Sequence, residues 1–199
     1  MTSETSSAAT PERFTIRRKV FKIVGASFHI YNSDGLLVGF CSQKAFRLKE
    51  DLRIYTDESR SEELFRIQTP NVIDFSAIYH VLLPTGERIG SFKRHGGKSL
   101  IRDSWSVLNQ DGQKIADVTE DSTLAAVMRR MHDFFAMMMP QKYMLTAPDG
   151  RLVAQYRTHF NPIVHRISVS VFHEDDMYDD LLFLAGGCLL SAIESRQSS

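Results

Sequence analysis

The sequence lacks an excess of charge of either sign, and this absence excludes one large class of protein. Its 199 residues contain 24 Lys and Arg and 24 Asp and Glu, so the formal net charge is zero. A dedicated nucleic-acid-binding protein normally carries an evident positive excess that displaces counterions from phosphates. We therefore expect no nucleic-acid partner.

Cysteine, proline and glycine are also scarce. Two cysteines do not form a disulfide framework, and 11 Gly with 6 Pro are too few for a disordered or fibrous protein. The first residues, MTSETSSAATPER, lack the basic start and apolar core of a secretory signal. We expect a cytoplasmic protein with a disordered tail over residues 1–12 and a single domain over residues 13–197.

What the sequence does contain is a repeated hairpin pattern. Stretches rich in Val, Ile, Phe and Tyr alternate with turn clusters, which is typical of antiparallel strands. An aromatic residue lies seven positions before, and an aliphatic residue five before, each of four turn glycines: Gly35, Gly86, Gly112 and Gly150. A β-branched and then a small residue follow three and four positions after. Each copy predicts a β-hairpin whose glycine supplies a positive φ, although any meander could reuse such turns without deeper symmetry.

Two segments have helical character. Residues 122–139 show apolar side chains at helical spacing and end before Pro140, which predicts an amphipathic helix. The uncharged run from Leu181 to Ile193 is 13 residues long and apolar on every face. As a helix it rises about 20 Å, which is short of the roughly 30 Å hydrocarbon core of a bilayer. We therefore expect this second helix to be enclosed by protein rather than by lipid.

A closed β-barrel is the enclosure that the preceding strands predict. Strands of six to eight residues, tilted as in known barrels, surround a channel about as tall as this helix. Gly186 and Gly187 in the helix cost about 1 kcal/mol each in helix propensity, and close approach of the barrel wall explains them. The fold class is therefore mainly β: a closed antiparallel barrel around a hydrophobic C-terminal helix, with no interior room for a substrate.

Five segments carry a family resemblance and together cover most of residues 16–197: FHIYNSDGLLVGFCSQKAFRLKEDLRIYTDE, NVIDFSAIYHV, KSLIRDSWSVLNQDGQKIADVTED, FNPIVHRISV and AGGCLLSAIESRQ. With them the chain resembles the tubby C-terminal-like superfamily, in its LURP-one-related and phospholipid-scramblase-like branch. The resemblance implies a barrel of about twelve strands. It also implies lipid or phosphoinositide contact, as in the tubby branch, or calcium-dependent lipid movement, as in the scramblase branch.

The strongest basic cluster surrounds a pair of glycines at positions 96 and 97. Four of its members are the predicted anionic-ligand-binding residues: Lys93, Arg94, Lys98 and Arg102. Backbone amides at a glycine pair and several cationic side chains could together hold a phosphorylated headgroup. The alternative is a hairpin tip whose cations keep a sheet edge soluble. A second basic stretch, at residues 17–22, either extends the same face or decorates an edge strand.

An acidic run precedes the apolar helix. The candidate calcium ligands in it are Glu174, Asp175, Asp176 and Asp179. Calcium takes six to eight oxygen ligands, and this run offers several. The spacing of an EF-hand loop is missing, and negative charge at a helix start is independently favoured by the helix macrodipole.

The sequence has no nucleophile elbow, phosphate loop or dinucleotide fingerprint. Cys41 and Cys188 fall in apolar settings, which predicts buried and inert thiols. We therefore expect a non-enzymatic protein without a cofactor, which binds anionic lipid or a protein partner on its surface with peripheral membrane contact. The alternatives are a calcium-responsive scramblase-like membrane protein and, third, an uncharacterised enzyme.

Overall fold

The computed structural model describes residues 12–19, 26–43, 51–69, 77–95, 104–121, 141–159, 164–173 and 175–197. Within them lie twelve strands and one helix. In chain order the strands are β1 Glu12–Lys19, β2 Ala26–Asn32, β3 Leu37–Gln43, β4 Leu52–Tyr55, β5 Glu63–Gln68, β6 Ile78–Leu82, β7 Arg88–His95, β8 Ser104–Leu108, β9 Lys114–Glu120, β10 Lys142–Thr146, β11 Leu152–His159 and β12 Val164–Val171. The helix, α1, spans Asp180–Gln197. The predicted tail lies outside the described residues up to position 11, as does the predicted helix over 122–139.

The twelve strands form one closed antiparallel barrel. Each strand pairs with its neighbours in sequence, and β12 pairs with β1 in a register that sets Ile16 opposite Ile167. This arrangement confirms the predicted fold class, and it leaves neither β1 nor β12 as an edge strand. In such a meander the five described hairpin turns share one end of the barrel, where α1 also begins. We call this the hairpin end and the opposite end, where α1 finishes, the exit end.

The four repeated hairpins share one turn geometry, which confirms the repeat. Each turn glycine has a positive φ, between 79° and 89°, and each donates its N–H to the carbonyl three residues before it. This is a type I turn followed by a left-handed residue, and it places a bulge at the same point of every copy. The β4–β5 hairpin repeats the geometry without glycine, because Arg60 takes the left-handed position with φ 58°.

The flanking residues of the repeat are explained by the ladder. The aliphatic residue of each copy stands directly opposite the small one: Ile30 with Gly39, Val81 with Gly90, Val107 with Ala116 and Leu145 with Ala154. All of these side chains face the buried interior. A Cβ on Gly90 would lie 2.9 Å from Leu182 Cδ1 of α1, so the small residue makes room for the helix.

The helix threads the barrel, as the sequence predicts. Every residue from Leu182 to Ala192 is buried, and the central glycines meet the barrel wall. A Cβ on Gly187 would lie 2.6 Å from Ile16 Cδ1, and one on Gly186 would collide with the Tyr156 hydroxyl. The prediction of close approach at both glycines is confirmed. Among the described helical residues, none forms a helix long and apolar enough to cross a membrane.

Candidate functional site

The structure separates the two described members of the predicted anion-binding cluster. Lys93 faces outward on β7, in register with Ser106 on β8. Arg94 faces inward, where its guanidinium lies 5.6 Å from the centroid of the buried Trp105 ring. Lys98 and Arg102 lie outside the described residues. Lys93 and Arg94 thus point to opposite sides of the barrel wall. A site in which all four residues bind one anion stays a prediction.

Protection of a sheet edge does not explain these cations. The strand that carries Lys93 is paired on both sides, by β6 and by β8. The strand that carries Arg17 is paired on both sides as well, by β12 and by β2. Lysine and arginine protect exposed edges by hindering pairing with another chain, and neither β1 nor β7 has an open edge. The two basic stretches also lie on opposite walls, since five strands lie between β1 and β7 in either direction around the barrel.

A hydrogen-bonded chain of His95, Ser106 and Asp117 crosses the outer surface beside Lys93. The His95 Nε2 and Ser106 Oγ atoms are 2.8 Å apart, and the Ser106 hydroxyl donates to Asp117 Oδ1 at 3.0 Å. The serine lies between the other two residues and gives its only proton to the carboxylate. In a catalytic triad the histidine is central and takes that proton. The order found here, with Ser106 buried, is that of a structural network.

Two of the described candidate calcium ligands before α1, Asp175 and Asp179, have structural partners, and Asp176 is exposed. Asp179 caps the helix, because its Oδ1 accepts the Leu181 N–H at 2.7 Å. Asp175 Oδ1 accepts the Met177 N–H at 3.0 Å. Asp180, the first residue of α1, forms an ion pair with Arg13 at 2.7 Å. Glu174 lies outside the described residues. Across the described part of the chain, no three His, Cys, Asp or Glu side chains are grouped closely enough to hold a metal ion, and the calcium site stays a prediction.

Charge is distributed unevenly along the barrel axis. The described residues that connect strands at the hairpin end, and those between β12 and α1, contain two cations, Arg60 and Arg151. The same segments contain ten acidic residues: Asp34, Asp57, Glu58, Glu62, Glu87, Asp111, Asp149, Asp175, Asp176 and Asp179. The three residues of each strand nearest the exit end show the opposite balance. They contain one acidic residue, Glu120, and ten cations: Arg17, Arg18, Lys19, Arg53, Arg66, Lys93, Arg94, Lys142, Arg157 and Arg166. The described part of this chain is therefore polarised along the barrel axis, although Arg13, Arg88 and Lys114 lie at the hairpin end of their strands.

Four of the exit-end cations form a group on the outer face of adjacent strands, which we call the basic wall: Arg17, Lys142, Arg157 and Arg166. Arg17 stands directly opposite Arg166 across β1 and β12, and Lys142 stands directly opposite Arg157 across β10 and β11. Like charges directly opposite each other destabilise a sheet. Glu12 forms an ion pair with one member of the basic wall, Arg166.

His159 extends the basic wall on β11. Its Nε2 lies 2.9 Å from Ser168 Oγ and 3.8 Å from Glu12 Oε1. Partial burial, followed by the nearby Arg166 guanidinium, lowers the pKa of His159, and Glu12 opposes the shift. The neutral form of His159 is therefore favoured, because the neighbouring side chains are already positively charged.

The sequence identified Arg17 but missed the other three members of the basic wall. They lie more than a hundred residues from Arg17, and only closure of the barrel between β12 and β1 makes them neighbours. The available signal was weak: each occupies an outward position of a strand, near its exit end.

The barrel interior in the described region is packed. A cavity of about 10 Å³ borders Gly186, Trp105 and Tyr156, which is room for about one water molecule and far too small for a substrate. Cys41 and Cys188 are both buried and free, and burial raises the pKa of the Cys41 thiol to about 12. Two inert thiols, as the sequence predicts, are thus part of the core.

Acidification is expected to destabilise the protein through His80. Partial burial, followed by the nearby Arg88 guanidinium, lowers the pKa of His80 in the folded state. The unfolded chain, with a histidine pKa of about 6.5, then binds more protons, so stability falls as the pH drops through that value. Urea unfolding at pH 7.5 and at pH 5.5 measures the decline. His80→Gln should reduce it, and an unchanged decline in His80→Gln would contradict the assignment.

Comparison with known proteins identifies a family. A family model described as LURP-one-related matches residues 37–178. No curated protein matches the chain.

Proposed function

The chain belongs to the LURP-one-related family, within the tubby-like superfamily, and from that basis we propose a non-enzymatic barrel protein that binds anionic lipid headgroups on its outer surface. The association is peripheral and takes place in the cytoplasm. A packed core supports a function on the outer surface, because the interior cavity has room for about one water molecule.

The single observation that carries this proposal is the axial polarisation of charge. Strand ends at the exit end are rich in cations, and the segments at the hairpin end are rich in acids. Along tilted strands of eight residues the two ends are about 20 Å apart. The Debye length is about 8 Å at physiological salt, so the distant acids are screened from a negative surface at the exit end. Such a molecule attracts anionic lipids despite its zero net charge.

Co-sedimentation with vesicles tests the proposal. We expect the full chain to sediment with vesicles that contain phosphatidylserine or a phosphoinositide, and to stay in solution with phosphatidylcholine alone. Retention should weaken as salt rises, because the attraction is electrostatic. If no anionic vesicle retains the protein at physiological salt, the lipid-binding function is wrong. Replacing Lys93, Arg94 and Lys98 with alanine tests whether the sequence-predicted cluster contributes.

A calcium arm of the same experiment addresses the scramblase-like alternative. The proposal expects equal retention with calcium and with a chelator. Retention that requires calcium, and that is lost when Asp175 and Asp176 are changed to Asn, would instead support a calcium-responsive protein.

A further inference from the structure

We infer that the basic wall, formed by Arg17, Lys142, Arg157 and Arg166, is the surface on which this protein meets an anionic membrane. The inference rests on the proposed function and assigns it to a face of the barrel that the sequence did not identify. The face lies on β10, β11, β12 and β1, on the opposite side from Lys93 on β7.

Most of the charge on the basic wall is not neutralised by carboxylates. Five cations elsewhere on the outer surface have carboxylates close by: Arg13 with Asp180, Arg53 and Arg66 with Glu63, Lys114 with Asp117, and Arg151 with Asp149. On the wall, by contrast, Arg17, Lys142 and Arg157 have no carboxylate within 4.0 Å among the described residues. The guanidinium of Arg17 instead lies over the Tyr31 ring, 4.8 Å from its centroid.

The register of the wall residues costs the sheet stability. Arg17 opposite Arg166 and Lys142 opposite Arg157 are like-charge pairs in direct register, which destabilise a sheet. Edge protection does not explain them, because the strands concerned are paired on both sides. Residues that break a local stability rule in this way are characteristic of functional surfaces.

The basic wall lies on a convex surface, and this limits the shape of its ligand. Four adjacent strands at a spacing of about 4.8 Å spread the cations over about 14 Å, and the outside of a barrel is convex. The side chains therefore diverge, and they do not converge on one phosphate. A plane that carries many separate negative charges matches such an array, and a membrane of anionic lipids is such a plane.

A nucleic acid fits the wall less well. Single strands are held largely by stacking of bases on aromatic side chains, and the Tyr31 ring beside the wall is already covered by Arg17. A membrane needs no stacking surface. Binding to nucleic acid is therefore an outcome that the experiment must be able to reveal.

The test neutralises three members of the wall together, in the full chain: Arg17→Gln, Lys142→Gln and Arg157→Gln. Arg166 is left in place because it is the partner of Glu12. A matched control makes the same charge change toward the hairpin end, at Arg60, Lys114 and Arg151, which are all exposed. Both proteins are titrated with vesicles of phosphatidylcholine containing phosphatidylserine, and their thermal unfolding is recorded.

Each cation near an anionic membrane surface contributes about a factor of five to partitioning. The wall variant should therefore partition about a hundredfold more weakly than the unaltered protein, and the control should stay within a few-fold of it. The melting temperature of the wall variant should change little, because the relief of like-charge repulsion offsets the lost contact between Arg17 and Tyr31. A folded wall variant that partitions like the control would overturn the inference while leaving the proposed function intact.

Two further outcomes are decisive. If the unaltered protein binds no anionic vesicle, the proposed function fails, and the inference fails with it. If a single-stranded or duplex oligonucleotide is bound and the vesicles are not, and the wall variant loses that binding, the wall is an anion-binding surface but its assignment to a membrane is wrong.

Discussion

Gly187→Leu is expected to lower the free energy of unfolding by about 3 kcal/mol, at the upper end of overpacking costs. A Cβ alone at this position would lie 2.6 Å from Ile16 Cδ1 and 3.2 Å from Val169 Cγ2, and leucine adds three more carbons. In a protein of this size the loss corresponds to a fall in melting temperature of about 10 °C. Gly187→Ala should cost far less, because Ile16 Cδ1 is the far end of a flexible side chain and can move aside.

The neighbouring glycine provides a more specific control of the same packing. At Gly186 a Cβ would collide with the hydroxyl of Tyr156 and lie 2.9 Å from its Cζ, so Gly186→Ala should also destabilise the protein. The hydroxyl is buried without a hydrogen-bond partner among the described residues, so Tyr156→Phe alone should be neutral or slightly stabilising. The double variant should recover part of the loss. An unaltered melting temperature in Gly187→Leu, or no recovery in the double variant, would contradict the threaded helix.

Phe28→Ala is expected to cost about 3–5 kcal/mol, the range for removing a large aromatic side chain from a core. Phe28 is completely buried and is the aromatic residue of the first hairpin copy. Its removal leaves a cavity in the barrel interior that surrounding side chains fill only in part. Chemical denaturation at neutral pH measures the change directly.

Tyr31→Ala is the matched control on the same strand. Tyr31 lies three residues further along β2, on the outer face, in register with Thr15, and is half-buried. Because it contributes little to the core, the variant should lose about 1 kcal/mol, mostly through contacts with Arg17. Equal losses in the two variants would mean that the inward and outward faces of β2 are wrongly assigned.

The hairpin repeat shows which features of the fold the local sequence predicts. Gly112 and its three counterparts adopt the left-handed conformation that the turn pattern predicts, and the residue opposite each aliphatic side chain is small for a steric reason. The turn pattern does not predict the β4–β5 hairpin, because Arg60 stands where the other hairpins have glycine. A turn is specified by four or five consecutive residues, so one substitution that the backbone tolerates removes the signal while the geometry remains.

The candidate site was much less accessible to sequence reasoning. Consecutive cations such as Lys93 and Arg94 form a cluster in the sequence, but strand alternation sends them to opposite sides of the barrel wall. Arg17 and Arg166 are far apart in the sequence, yet they are cross-strand neighbours. Clustering along the chain is thus a poor guide to clustering on a strand-built surface.

The alternation of strands, the hairpin turns and the C-terminal helix can all be predicted from the sequence alone. The helix is too apolar for water and too short for a bilayer, so these elements together require a closed barrel around it. Each of them follows from local periodicity or from the burial of apolar surface. Which outward side chains become neighbours is set by the three-dimensional fold, because it depends on the register of every strand pair and on closure between β12 and β1. Outward positions bury little apolar surface, so no hydrophobic pattern in the sequence records their arrangement.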